Sequence, residues 1–215
     1  MTALGQKAVS RYFSFGQQAS FDRPMLCGDI MREELARFIA SGTSLFEETA
    51  NWGPIPLEIT YYRGNEPAPP AYVSSVRAMV FRDRSVLVVK EANGHLYTVP
   101  GGRVEEGEAP IETLRREVLE ETGWTLLRAE LFGFMHLHHV GPKPERYEYP
   151  YPDFIWPIYL AEADRFVADA IVPDDYVLES EFRPVEQVPK LAIGRGELLL
   201  LEEALRLRRS PKDVK

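Results

Sequence analysis

Three glutamates, Glu117, Glu120 and Glu121, follow directly on Arg116 near the middle of the chain. On a helix, residues three or four apart share a face, so the three carboxylates form one acidic patch. Carboxylates so close repel one another unless cations neutralise them. Just upstream, Pro100-Gly101-Gly102 permits a tight backbone corner whose carbonyl could join the carboxylates around a hard cation. Oxygen donors of this kind suit Mg2+ or Mn2+ rather than structural zinc. A cation held there would neutralise crowded phosphoryl oxygens and acidify an attacking water, whose proton a nearby carboxylate could accept. The chemistry implied is attack of water on a P–O–P linkage. The ordinary alternative is a solvated acidic face partly neutralised by Arg115 and Arg116.

A helix over 109–122 must position those groups. Ile111, Leu114 and Val118 supply a separate apolar stripe for packing on a sheet. Pro110 fits the first helical turn, Gly123 fits the left-handed position past the end, and Trp124 can fold back on the helix. Short apolar runs at 73–81, 85–90 and 95–99 read as strands before it, and 126–140 and 154–160 as strands after it. An edge segment is expected within 181–188, and a last helix over 194–207 carries Leu198, Leu199, Leu201 and Leu205. Strands, helix, strands, helix predict a mixed sheet between helices.

The stretch 101–124 resembles the signature of the Nudix hydrolase family. That signature is a glycine, five residues, a glutamate, seven residues, then Arg-Glu-apolar-any-Glu-Glu-any-Gly-apolar. Gly102, Glu108, Arg116, Glu117, Val118, Glu120, Glu121, Gly123 and Trp124 occupy its specified positions. The resemblance implies an α/β/α sandwich with a mixed β-sheet, and hydrolysis of a nucleoside diphosphate linked to another group. It implies Glu117 and Glu121 as principal ligands of Mg2+ (or Mn2+), Glu120 in the same cluster, and the Gly101 carbonyl as a backbone ligand. Arg116 would orient a box carboxylate, and Glu108 would support the loop–helix arrangement. Family members take their general base from the box or from a later loop, which makes Glu117 and Glu181 the two candidates, ahead of Glu179. ADP-ribose or a nucleotide sugar is favoured over a nucleoside triphosphate, since extra segments could complete a larger pocket. A noncatalytic nucleotide sensor is the alternative of another class, and a homodimer is expected from the resemblance.

Outside the box, Tyr147, Tyr149 and Tyr151 lie in a proline-rich stretch and would share one side if it runs extended, as a stacking wall for substrate. His136 and His138 would share one strand face, with His139 on the other. The pair are candidates for substrate contact, zinc lacking a third ligand in the local sequence.

Residues 71–208 are the expected catalytic domain, after turn formers near 66–71. Residues 1–70 read as an N-terminal extension packed on that domain or on a second subunit. Its helix is expected over 30–40, capped by Asp29 and stopped by Gly42, with one strand at 55–62. Residues 209–215 read as a fraying tail. With 215 residues and 45% hydrophobic content the chain can bury a core without staples, and its one cysteine, Cys27, excludes an intramolecular disulfide framework. Neither a secretory signal nor a membrane-spanning run is apparent, so a cytoplasmic protein is expected. A formal charge of −8 argues against a broad grip on extended nucleic acid, leaving a small nucleotide-derived substrate as the expected partner.

Overall fold

The structure, a computed structural model, describes residues 25–53, 55–172 and 177–209. Helix α1 (Met25–Ser41) leads into strands β1 (Thr43–Trp52) and β2 (Ile55–Arg63). The strands β3 (Arg77–Arg82), β4 (Ser85–Glu91) and β5 (Leu96–Tyr97) follow, then helix α2 (Pro110–Thr122). Two long strands, β6 (Trp124–His139) and β7 (Asp153–Phe166), precede β8 (Val177–Pro184) and helix α3 (Arg195–Arg209). Among the described residues the strands form one mixed sheet in the order β1-β2-β6-β7-β3-β4-β5, with β8 on β4. Only the β3–β7 pairing is parallel, and its register sets Arg77 opposite Ile158.

Alternation along β7 shows how the layers divide. Phe154, Ile158 and their neighbours face a core shared with Met79, Phe81, Met135 and Leu137, closed by Leu200, Leu201 and Ala204 of α3. The opposite face packs Ala161 and Ala163 with Val76, Ala78, Val80 and Leu87 under Leu114 and Val118 of α2. Leu35 and Phe38 of α1 pack against Phe134 and Ile155 of the sheet in a cluster of their own. Two helices, a sheet and a further helix make an α/β/α sandwich. Leu114, Val118 and Leu200 are fully buried, which ties both α2 and α3 firmly to the sheet.

Residues 25–63 are part of the same sheet, since β2 pairs antiparallel with β6 from Leu57↔His139 to Arg63↔Gly133. Two details differ from the sequence expectation. Asp29 does not cap α1, which begins four residues earlier, at Met25. The N-terminal part also holds a second strand, β1, whose polar Thr43, Ser44, Glu47 and Glu48 hide the pattern of a strand that is paired on one side only. Cys27 falls within α1, but its side chain lies outside the described ones, as do residues 1–24 and the tail from 210.

Candidate active site

Pro110 at the first turn and the Glu112 carboxylate, accepting from the Ala109 amide at 3.0 Å, start α2. Gly123, at φ 74°, ends it, and its amide donates to the Leu119 carbonyl at 2.8 Å. The glycine corner is laced to the strand segment that carries β3. The Val76 amide donates to the Gly102 carbonyl at 2.9 Å, and the Ala78 amide to the Pro100 carbonyl at 2.9 Å. Gly101 has φ 138° and leaves no room for a side chain beneath the Val76 carbonyl. Gly102 faces the Glu117 carboxylate just as closely. The Gly101 amide donates to Glu121 Oε2 at 3.1 Å. Corner and helix are thus joined through two of the three glutamates.

Arg116 ties the others. Its Nε and Nη2 form a fork on the two Glu108 oxygens at 2.8 and 2.9 Å. Nη1 donates to Glu117 Oε1 at 2.9 Å and to Glu120 Oε2 at 3.4 Å, and Nη2 also reaches the Arg103 carbonyl at 3.2 Å. Thr113 Oγ1 adds a bond to Glu108 at 2.8 Å. Arg116 and these further donors hold the Glu108 carboxyl down at about 2, far below its usual range. Burial pushes the Glu117 carboxyl up, against the opposing pull of Arg116 and Arg77. Glu117 therefore combines contact with the glycine corner and a greater readiness to take a proton than a free carboxylate.

Three residues of this neighbourhood are not evident in the sequence pattern. Arg77, at the start of β3, is buried and donates a hydrogen bond to the Gly101 carbonyl. Its guanidinium lies 4.6 Å from the centroid of the Trp156 ring, while Trp156 Nε1 donates to Ser74 Oγ at 3.0 Å. Glu197 of α3 accepts from the Thr98 amide at 2.6 Å and from Thr98 Oγ1 at 2.8 Å, anchoring the run into the corner. Burial pushes the Glu197 carboxyl up, and the two hydrogen bonds from Thr98 oppose it. A charged residue inside the apolar run VSSVRAMVF was the available signal for Arg77.

The other sequence candidates fall elsewhere. Glu181 lies on β8 opposite Val88 of β4 and ion-pairs with Arg183; the structure does not bring it into the Arg116 cluster. His136 Nε2 and His138 Nδ1 both meet Asp153 Oδ1, each at 2.8 Å, so the two histidines share a strand face and a carboxylate from β7. His139 is on the other face, buried, with Nε2 at 2.7 Å from the Tyr147 hydroxyl. The tyrosine stretch turns rather than running extended. Tyr147 is buried against His139, Tyr151 donates to the Gly141 carbonyl at 2.9 Å, and Tyr149 lies under the Arg103 guanidinium at 4.9 Å. Tyr147 and Tyr149 pack with ring centroids 5.4 Å apart, Tyr151 lies against His139 at 5.4 Å, and Tyr149 is the ring that meets Arg103 of the glycine loop.

Among the described residues, no group of three His, Cys, Asp or Glu side chains converges closely enough to hold a metal ion. The donor set nevertheless fits a hard divalent cation. Glu117 and Glu121 meet the glycine corner and Glu120 shares the Arg116 guanidinium with Glu117, so the donors nearby are the oxygens a hard cation prefers.

An α/β/α sandwich with a glycine corner against an acidic helix defines a class built to handle phosphate oxygens. The model of the NUDIX domain matches residues 71–201, more than half of the chain, and the protein belongs to the Nudix hydrolase family. A relative in Bacillus subtilis strain 168, YjhB, provisionally named an ADP-ribose pyrophosphatase, is 33% identical over 80 residues, which cover 37% of this chain and 38% of that protein. The NAD-capped RNA hydrolase NudC of Escherichia coli O157:H7 is 27% identical over 125 residues, 57% of this chain and 43% of that protein. The chain thus spans less than half the length of these curated relatives. The crystal structure of the Bacillus subtilis pyrophosphohydrolase BsRppH superposes with a TM-score of 0.53 at 15% identity, over 77% of this chain and 98% of that one, a likeness of fold.

Proposed function

We propose that the protein hydrolyses the pyrophosphate linkage of a nucleoside diphosphate derivative, with ADP-ribose or a nucleotide sugar as the substrate class. The observation that carries this is the complete box folded as one unit, with Arg116 joining Glu108, Glu117 and Glu120 while Glu121 binds the Gly101 amide. Glu117, Glu120, Glu121 and the Gly101 carbonyl are the groups that would hold Mg2+ or Mn2+. The ion would supply charge neutralisation at the phosphoryl oxygens and a more acidic water. Arg116 keeps the carboxylates in place, and Glu108 keeps Arg116 in place. Glu117 is the favoured general base because it lies at the glycine corner, whereas Glu181 lies on β8 opposite Val88. The name of the 33%-identical relative supports the ADP-ribose class. Tyr149 and Trp156, which flank Arg103 and Arg77, offer flat surfaces for a base or sugar.

A screen with Mg2+ or Mn2+ against ADP-ribose, sugar nucleotides, diadenosine polyphosphates and nucleoside triphosphates, with product identification, tests the assignment. Turnover of a diphosphate-linked substrate is expected. Tight binding without turnover would favour a sensor instead. For the base, Glu117→Gln should lower metal-saturated kcat by about 100-fold or more, and Glu181→Gln should leave it within about three-fold. The reverse ranking would move the base to β8.

A further inference from the structure

We propose that Ser75 and Arg103 form a subsite for the phosphoryl group of the substrate that water does not attack, on the side of the glycine corner turned away from the box helix. The inference rests on the hydrolase reading above and adds two residues outside the specified positions of the family signature. The register at the corner decides which side each residue takes. The Val76 amide donates to the Gly102 carbonyl and the Val104 amide to the Ser74 carbonyl, so Ser75 stands opposite Arg103 in an antiparallel bridge. Residues paired across such a bridge share one side, and their neighbours along the strand take the other. Val76 packs with Leu114 and Val118 of α2, and Gly102 faces Glu117 of the same helix. Ser75 and Arg103 therefore point to the opposite side, where Arg103 meets Tyr149 and Arg77 meets Trp156.

Both side chains have hydrogen-bonding capacity left over. Ser75 is 3% exposed, and its hydroxyl has no hydrogen-bond partner among the described residues. A buried hydroxyl in that state costs its full desolvation, so it marks a place where a partner is to be supplied. Arg103 donates from Nη2 to Glu148 Oε2 at 3.3 Å and lies 4.9 Å from the centroid of the Tyr149 ring. Its Nε and Nη1 donate to none of the described residues. The Arg103 carbonyl is held by Arg116 Nη2 at 3.2 Å, so its backbone is tied to the box. A guanidinium stacked on a ring and aligned by a carboxylate is pre-organised, and its remaining N–H groups match phosphate oxygens. The Ser75 hydroxyl is a further donor to the same oxygens. Gly101 and Gly102 bear no side chain, so the corner interposes only backbone between these donors and the carboxylates of Glu117 and Glu121. A diphosphate at the corner uses both sides, and a monophosphate uses one.

Calorimetric binding of α,β-methylene-ADP, whose P–C–P bridge resists hydrolysis, tests this in Mg2+ beside AMP and adenosine. The wild type should bind methylene-ADP about ten-fold more tightly than AMP. Arg103→Met should weaken methylene-ADP about ten-fold while leaving adenosine within about two-fold, and Arg103→Lys should restore part of the loss. Ser75→Ala should weaken methylene-ADP about three-fold. Glu148→Gln removes the carboxylate that competes for the guanidinium and should tighten methylene-ADP about three-fold, a gain that a purely structural ion pair does not give. Full preference for methylene-ADP in Arg103→Met or in Ser75→Ala, or a loss shared equally by adenosine, overturns the subsite. Turnover in the substrate screen alongside that result leaves the hydrolase reading standing. A wild type that binds methylene-ADP no better than AMP overturns the subsite as well. If Arg103→Met does not fold, unchanged methylene-ADP affinity in Ser75→Ala and Glu148→Gln overturns the proposal by itself.

Discussion

Gly102→Ala separates the architecture of the corner from its chemistry. The φ of Gly102 lies outside the left-handed region, so the backbone itself accepts alanine. A Cβ there would come 2.2 Å from Glu117 Cδ, and 2.3 and 2.4 Å from its two oxygens. Ordinary contact begins at 3.4 Å, so the carboxylate must retreat by about 1.2 Å. That movement stretches the 2.9 Å bond from Arg116 Nη1 beyond hydrogen-bonding range. Because Glu117 is the end of a flexible side chain and the pair is partly exposed, the cost in stability is about 1 kcal/mol, or roughly 2–4 °C in Tm for a chain of this size. Catalysis should suffer far more, since a misplacement near 1 Å in a catalytic group costs on the order of 100-fold. Product release under saturating Mg2+, measured beside a thermal melt, reads both quantities. Turnover close to wild type would refute the placement of Glu117 at the chemistry. A Tm loss above about 10 °C would show that Gly102 serves the fold instead.

The neighbouring glycine should behave in the opposite way. Gly101→Ala combines φ 138° with a Cβ 2.3 Å from the Val76 carbonyl, a backbone atom that cannot swing aside, so denaturant titration should show a loss of about 3 kcal/mol or more. Glu108 predicts an acid limb in the stability curve. Its folded carboxyl is held at about 2 against an ordinary 4.5, so its contribution is complete above pH 4.5 and disappears as pH falls towards 2. Solvent screening reduces this to about 1–2 kcal/mol. Urea melts across that window should show the wild type losing this increment and Glu108→Gln showing no corresponding slope. Equal slopes in the two proteins would remove the Glu108–Arg116 fork as the cause.

The acidic helix was legible because its signals are local. Pro110, Gly123 and the stripe of Ile111, Leu114 and Val118 predict a helix over 109–122, and the helix runs Pro110–Thr122. The residues that escaped notice act across the sheet. Asp153 supplies the carboxylate between His136 and His138 from the facing strand, where spacing along β6 carries no trace of it. Arg77 meets its acceptor 24 residues away, and its charge looks like an irregularity in an apolar strand until the corner folds over it. The Tyr147–Tyr151 stretch depends on the fold in a related way. Spacing by two predicts a common side only for extended chain, and here a buried His139 draws Tyr147 inward while the backbone turns. Strand β1 shows the same limit at an edge, where pairing on one side leaves polar residues free to alternate irregularly.

The pairing of β2 with β6 also gives the family boundary a mechanical meaning. The NUDIX match begins at residue 71, yet seven residues of β6, from Gly133 to His139, have their other neighbour in β2. A chain started at 71 would keep every box residue and expose a long, largely apolar edge carrying Phe134, Met135 and Leu137. Such an edge recruits other strands, including those of a second copy. Strands β1 and β2 are thus the selvedge of the sheet, a border whose outermost strand carries Thr43, Ser44, Glu47 and Glu48 in place of that apolar edge.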